Sequence, residues 1–112
     1  MEYLLLIYID GSFDFKSQEA ATLAPDVEAW IEDVDRRGIR VQGSALGPMR
    51  DATTIRLRQG ETEVTDGPFE ETREYIAGFD ILVCADRNEA IEVASKHPVA
   101  RFGRVELRPC LQ

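Results

Sequence analysis

With 112 residues, 44% apolar and 30% charged, the chain has the makeup of one globular domain, residues 1–112, with a core of its own. Thirteen basic against 21 acidic residues give a formal net charge of −8, which repels a phosphate backbone and argues against direct nucleic-acid binding. The apolar stretch Tyr3 to Ile9 is too short to span a bilayer and follows Met1-Glu2 without a basic residue, unlike a secretory signal; the expectation is a cytoplasmic protein with no membrane association.

Tyr3 to Ile9 is rich in aromatic and branched residues and reads as a strand covered on both faces, ended by Asp10-Gly11-Ser12. Tyr3, Leu5, Ile7 and Ile9 fall on one face, and Leu4, Leu6, Tyr8 and Asp10 on the other. After a loop through Phe15, Val27, Trp30, Ile31 and Val34 recur at helical spacing. This predicts a helix with Pro25 in its first turn and Gly38 as its stop. Ile39-Arg40-Val41 opens a second strand, which runs into a bend carrying Gly43, Gly47 and Pro48. A third strand, Ala52 to Arg58, turns through Gln59-Gly60-Glu61 into a short return strand, Thr62 to Thr65.

Thr65 to Glu74 gathers a Gly-Pro turn, four carboxylates, one guanidinium and Phe69 immediately before the long apolar strand Tyr75 to Cys84. Asp86-Arg87-Asn88-Glu89 has the capping-box arrangement, so a second helix begins there; Ala90, Val93 and Ala94 form its inner face and Pro98 ends it. Arg104 to Arg108 alternates as a half-exposed last strand closed by Pro109. The order β-α-β-β-(β)-β-α-β predicts an α+β, ferredoxin-like βαββαβ fold: an antiparallel sheet, two helices on one face and an extra hairpin strand. Two central strands apolar on both faces leave one sheet face bare, which calls for a second copy of the chain as cover. A pocket under that cover would be lined by Tyr8, Asp10, Gly78 and Asp80, if theirs is the inner face.

Val64-Thr65-Asp66-Gly67-Pro68-Phe69, Glu71-Thr72, Glu74 and Gly78-Phe79 together resemble the DGPF signature of the YCII-related proteins. Tyr3 to Tyr8 with Asp10, Ala52 to Arg56, and Val105 to Pro109 extend the resemblance over nearly the whole chain. It implies a homodimeric α+β barrel, a fold that hosts small isomerases, heme-handling proteins and cofactor-independent monooxygenases, and so does not imply one reaction. It also implies a link to transcription, because some DGPF relatives accompany or are fused to sigma-factor-like proteins. Other YCII-related branches have a proposed His–Asp catalytic pair with the His in the N-terminal half. Here the only histidine is His97, and Asp66 is carried over alone.

Asp66 is the candidate general base; the competing reading is a carboxylate that accepts backbone N–H groups within its own turn. Arg50, Arg73 and Arg56 are the arginines able to hold an acidic substrate, with Arg50 and Arg73 preferred. Tyr8 is the candidate orienting residue and Phe69 a stacking surface or core plug. Asp80, among apolar neighbours, requires either a functional partner or an ion pair with a strand arginine. His97 reads as a cation in the last turn of the second helix. One His and the two distant cysteines, Cys84 and Cys110, make no metal set, and no phosphate loop or dinucleotide fingerprint is present, so neither metal nor cofactor is expected. The cysteines read as reduced thiols, with an inter-strand bridge left open. The leading expectation is a homodimer that binds a small organic molecule near Asp66 and catalyses proton transfer as a cofactor-independent isomerase or lyase. The alternative is a non-catalytic sensor or accessory that binds a protein partner.

Overall fold

Four strands, two helices and one projecting hairpin make up the fold in the computed structural model, which describes residues 1–67 and 73–111. Strand β1 (Glu2–Asp10) leads through helix α1 (Gln18–Arg36) to β2 (Arg40–Ala45), and a short 3-10 turn (Met49–Asp51) precedes β3 (Thr53–Arg58) and β4 (Glu61–Asp66). Then come β5 (Glu74–Val83), helix α2 (Arg87–Ser95), a second 3-10 turn (Pro98–Arg101) and β6 (Arg104–Pro109). The main sheet is antiparallel in the order β2-β5-β1-β6, the ferredoxin-like arrangement expected from the order of elements.

Alternation in β1 sorts its residues as the sequence required. Tyr3, Leu5, Ile7 and Ile9 are buried beneath the helices, while Leu4, Leu6, Tyr8 and Asp10 are only partly covered. Trp30 and Val34 of α1 and Ala90, Val93 and Ala94 of α2 complete the core. Indole Nε1 of Trp30 donates to the Val93 carbonyl at 3.0 Å and so ties the two helices together. Helix α2 starts where the capping box placed it: Asp86 Oδ1 accepts the Glu89 N–H at 2.8 Å, and Glu89 Oε1 accepts the Ala85 N–H at 2.9 Å. Both cysteines are free thiols, and burial pushes that of Cys84 up.

Helix α1 departs from expectation. It begins about two turns before Pro25, which lies in its interior. Ser17 caps it, with Oγ accepting the Ala20 N–H at 3.2 Å, and Glu19, Ala20, Ala21 and Leu23 are strong helix formers. The lost N–H of Pro25 is outweighed by this cap and these residues.

The two strands read between Ala52 and Thr65 form and pair as a hairpin, but as a separate two-stranded sheet, β3-β4, and not as part of the main one. Gln59 and Gly60 turn it with φ of 52° and 79°, the two positive values of a type I′ turn. Ile55, Leu57 and Val64 share one of its faces and are 68%, 64% and 63% exposed. Because this arm stands away from the body, the radius of gyration is 16.0 Å, against about 13 Å for a compact chain of this length. No helix among the described residues is long and apolar enough to cross a membrane.

Two sequence readings are corrected here. Gly78 and Asp80 pair with Ile7 and Leu5, so they lie on the helix-covered face, opposite Tyr8 and Asp10. Asp80 takes the ion pair with a strand arginine that was its plainer reading: Arg40 Nε meets Oδ1 at 2.7 Å. His97 lies beyond α2 and is not a cation in its last turn. Its Nδ1 accepts the Val99 N–H at 3.1 Å, its ring packs edge-on to Trp30 at 4.8 Å, and burial lowers its pKa to about 4.

That lowered value predicts a pH dependence. In the unfolded chain His97 takes up a proton near pH 6.5, whereas the folded protein resists until about pH 4. The unfolded state therefore binds more protons in this window, and stability falls as pH drops through it, by about 3 kcal/mol in all. Urea unfolding from pH 7 to 4.5, compared with His97→Phe to subtract the carboxylates, measures it. Equal pH slopes for the two proteins would refute it.

Candidate functional site

On the face of the sheet away from the helices, a cleft of about 550 Å³ opens between the ends of β1 and β5 and the connection from β2 to β3. Tyr8, Glu74 and Ile76 form its floor, and Leu46, Met49 and Asp51 are in its wall. Its volume suits a small organic molecule. Alternation places Tyr8 here, and a bulge places Glu74 and Ile76: β1 advances from Ile7 to Tyr8 while its partner on β5 passes from Gly78 to Ile76, leaving Ala77 unpaired.

A charged notch adjoins the cleft and shares Tyr8 and Glu74 with it. The Arg104 guanidinium lies 3.8 Å from the centre of the Tyr8 ring, and its Nε is 3.1 Å from both carboxylate oxygens of Glu74. Across the notch, Arg73 Nε pairs with Asp10 Oδ2 at 3.1 Å. The Ser12 N–H, donated to Asp10 Oδ1 at 2.8 Å, and then Arg73 hold the Asp10 carboxyl below the usual range. Asp10 thus stays ionised and positions Arg73. Among the described residues, the Tyr8 hydroxyl has no hydrogen-bond partner within the protein, so it can serve a ligand.

Asp66 ends β4, exposed, opposite Thr53. Its carboxylate meets no hydrogen-bond donor among the described residues. The next residue, Gly67, donates its N–H to the carbonyl of Ala52, a cleft residue, at 2.6 Å. Asp66 therefore stands beside the rim without being part of the wall. Arg50 is exposed between two wall residues, Met49 and Asp51. Arg56 lies on the hairpin, and Phe69 falls outside the described residues.

Sequence reasoning did not single out Asp51, Glu74 as a cleft residue, or Arg104. The last two face Asp10 and Tyr8 only through strand register, Asp10 with Glu74 and Tyr8 with Arg104. A period-two pattern carries no such information. The described residues contain no group of His, Cys, Asp and Glu able to hold a metal ion.

Comparison with known proteins places these features in context. The profile of the YCII-related domain matches residues 1–112. An uncharacterised protein of Rhizobium meliloti is 36% identical, the match covering 72% of this chain and 79% of that protein. Among solved structures, a 5-chloro-2-hydroxyhydroquinone dehydrochlorinase from Burkholderia phenoliruptrix, in complex with 2,5-dihydroxybenzoquinone, superposes with a TM-score of 0.57. That superposition covers 99% of this chain and 94% of the other at 11% identity, a likeness of fold.

Proposed function

The chain belongs to the YCII-related family, and from that premise we propose that it acts as a cytoplasmic homodimer that binds a small organic molecule in the Tyr8 cleft and moves a proton on it without a cofactor. The observation that carries this reading is the convergence, at the end of a sheet face whose two central strands are largely apolar, of a tyrosine hydroxyl free to bond a ligand with the carboxylates of Glu74 on the sheet and Asp51 in the wall. A second copy laid over Leu4, Leu6, Ile76, Phe79 and Ile81 would roof the cleft and exclude water from it.

Asp66 is the proposed base. Among the described residues its carboxylate meets no hydrogen-bond donor, and it stands close to the rim, where a partner copy would exclude water from it. It would take a proton from a substrate carbon and then either return it to another carbon, an isomerisation, or leave the electron pair to expel a leaving group, an elimination. The dehydrochlorinase with the similar fold carries out a reaction of the second kind by name. Arg73 and Arg50 would hold an acidic group of the substrate, with Tyr8 orienting it.

A thermal-shift screen of phenols, hydroxy acids and lactones tests this. A ligand present at a hundred times its Kd adds about 2.7 kcal/mol, a rise of roughly 10 °C for a domain of this size. The wild type is expected to respond and Tyr8→Ala to lose the response, while Asp66→Asn keeps the ligand-free melting temperature and binds without turnover. An Asp66→Asn variant that still turned over a responding compound would remove Asp66 from the mechanism.

A second reading rests on the exposed strip Ile55, Leu57 and Val64, which suits a protein partner in an accessory role. No ligand response, together with a stoichiometric complex lost in Leu57→Lys, would favour it.

A further inference from the structure

A second cavity, of about 190 Å³, lies on the other side of the sheet, between it and the helices. Ile7, Ile9, Val27, Ile31 and Val99 form its apolar walls, and its lining runs from buried His97 to exposed Ser44 and Ala45, so its mouth is at the β2 edge. It is separate from the Tyr8 cleft.

Two buried polar side chains border it, His97 at 2% exposure and Asp80 at 4%. Each has one atom committed. Nδ1 of His97 accepts from Val99, which leaves the proton of the neutral ring on Nε2. Oδ1 of Asp80 accepts from Arg40. Neither Nε2 nor Oδ2 has a protein partner among the described residues, yet no fully buried side-chain nitrogen or oxygen there lacks one. Both atoms are therefore reachable from open space, and the space these residues border is this cavity. Arg40, paired to Asp80, also borders it, so the charges that line the polar end cancel.

We propose that this cavity is a binding site for a small uncharged hydroxylated ring compound, whose oxygen accepts from His97 Nε2 while Asp80 Oδ2 offers an acceptor for its proton. The apolar walls take the ring; a cavity of about 150 Å³ is enough for benzene, and this one is larger. An anion is disfavoured by the adjacent carboxylate, and a plain hydrocarbon would leave both buried polar atoms without partners.

Phenol and benzene are the probes, followed by nitrogen–proton NMR of the intact chain. Phenol is expected to give saturable shifts at Ala45, Ala77 and Gly78 and at the His97 Nε2 signal, and to bind at least fivefold tighter than benzene. In His97→Asn the side-chain oxygen can still accept from Val99, but the reach of Nε2 is gone, so phenol and benzene should bind equally. Val27→Phe, which fills the cavity from α1, should abolish both. Should His97→Asn fail to fold, the wild-type Nε2 signal decides, moving with phenol and not with benzene. Shifts confined to Tyr8, Leu46 and Ile76, equal binding of the two probes by the wild type, or no saturable response would each overturn the proposal.

Discussion

At the same concentrations the wild type is expected to sediment as a dimer and a Phe79→Asp variant as a monomer, with the dissociation constant raised at least about a thousandfold. Phe79 pairs with Leu6 in the middle of the uncovered face, flanked by Leu4 and Ile81. A two-fold dimer built on that face brings each substitution in twice. Each unpaired carboxylate buried without a partner costs several kcal/mol, and every 1.4 kcal/mol is tenfold in affinity. Because Phe79 is only partly covered within one chain, the folded monomer should tolerate the change. Sedimentation equilibrium over a range of concentrations measures it, with Ile55→Asp on the hairpin as a control for added charge. A wild type that stays monomeric at tens of micromolar, or a variant that still dimerises, would refute the sheet-to-sheet assembly.

The second large effect lies under the helices. Arg40→Met should cost about 3–5 kcal/mol at pH 7.5, because it leaves the Asp80 carboxylate buried without its counter-charge. Asp80 has little room to escape: Gly43 is its strand partner, and a Cβ there would clash with Oδ1. Burial already holds the Asp80 carboxyl above the usual carboxylate range despite Arg40, so without the arginine it would protonate at higher pH still. The penalty should therefore shrink at pH 5, where a neutral acid is cheaper to bury. The double variant Arg40→Met/Asp80→Leu should recover most of the loss at both pH values. Chemical denaturation of the wild type and the two variants checks this; a single variant as stable as the wild type at pH 7.5 would contradict it.

Much of the architecture is legible in short-range pattern. The two-sided apolar runs, the capping box at Asp86 and the Gln59-Gly60 turn are each encoded within a few residues, and together they specify the element order. What the pattern lacks is register. Alternation shows that Gly78 and Asp80 share a face, but only the pairing of Asp80 with Leu5 says that the helices cover that face. The same holds at the cleft, where Glu74 and Arg104 approach Asp10 and Tyr8 from distant parts of the chain. His97 was misread for a related reason: its sequence neighbours suggest a helix terminus, whereas its environment is set by Trp30 on the other helix. Pro25 points to a helix start that Ser17 and the alanines after it in fact set about two turns earlier.

The unpaired Ala77 is the hinge on which the β5 contribution to the cleft turns. Upstream of it Glu74 and Ile76 face the cleft, while downstream it is Phe79 and Ile81 that lie on that side and Asp80 that is turned inward. One residue added to β1 opposite Ala77 would pair it, restore strict alternation and, with β5 and the start of β1 held in register, turn Glu74 and Tyr8 toward the core and bring Tyr75 and Ile9 into their places. Relatives built on this sheet could thus exchange the acid of the pocket for an aromatic through a single-codon insertion in β1, without any point replacement at the site. A position-by-position comparison of side chains would miss such a change, because the difference lies in strand length.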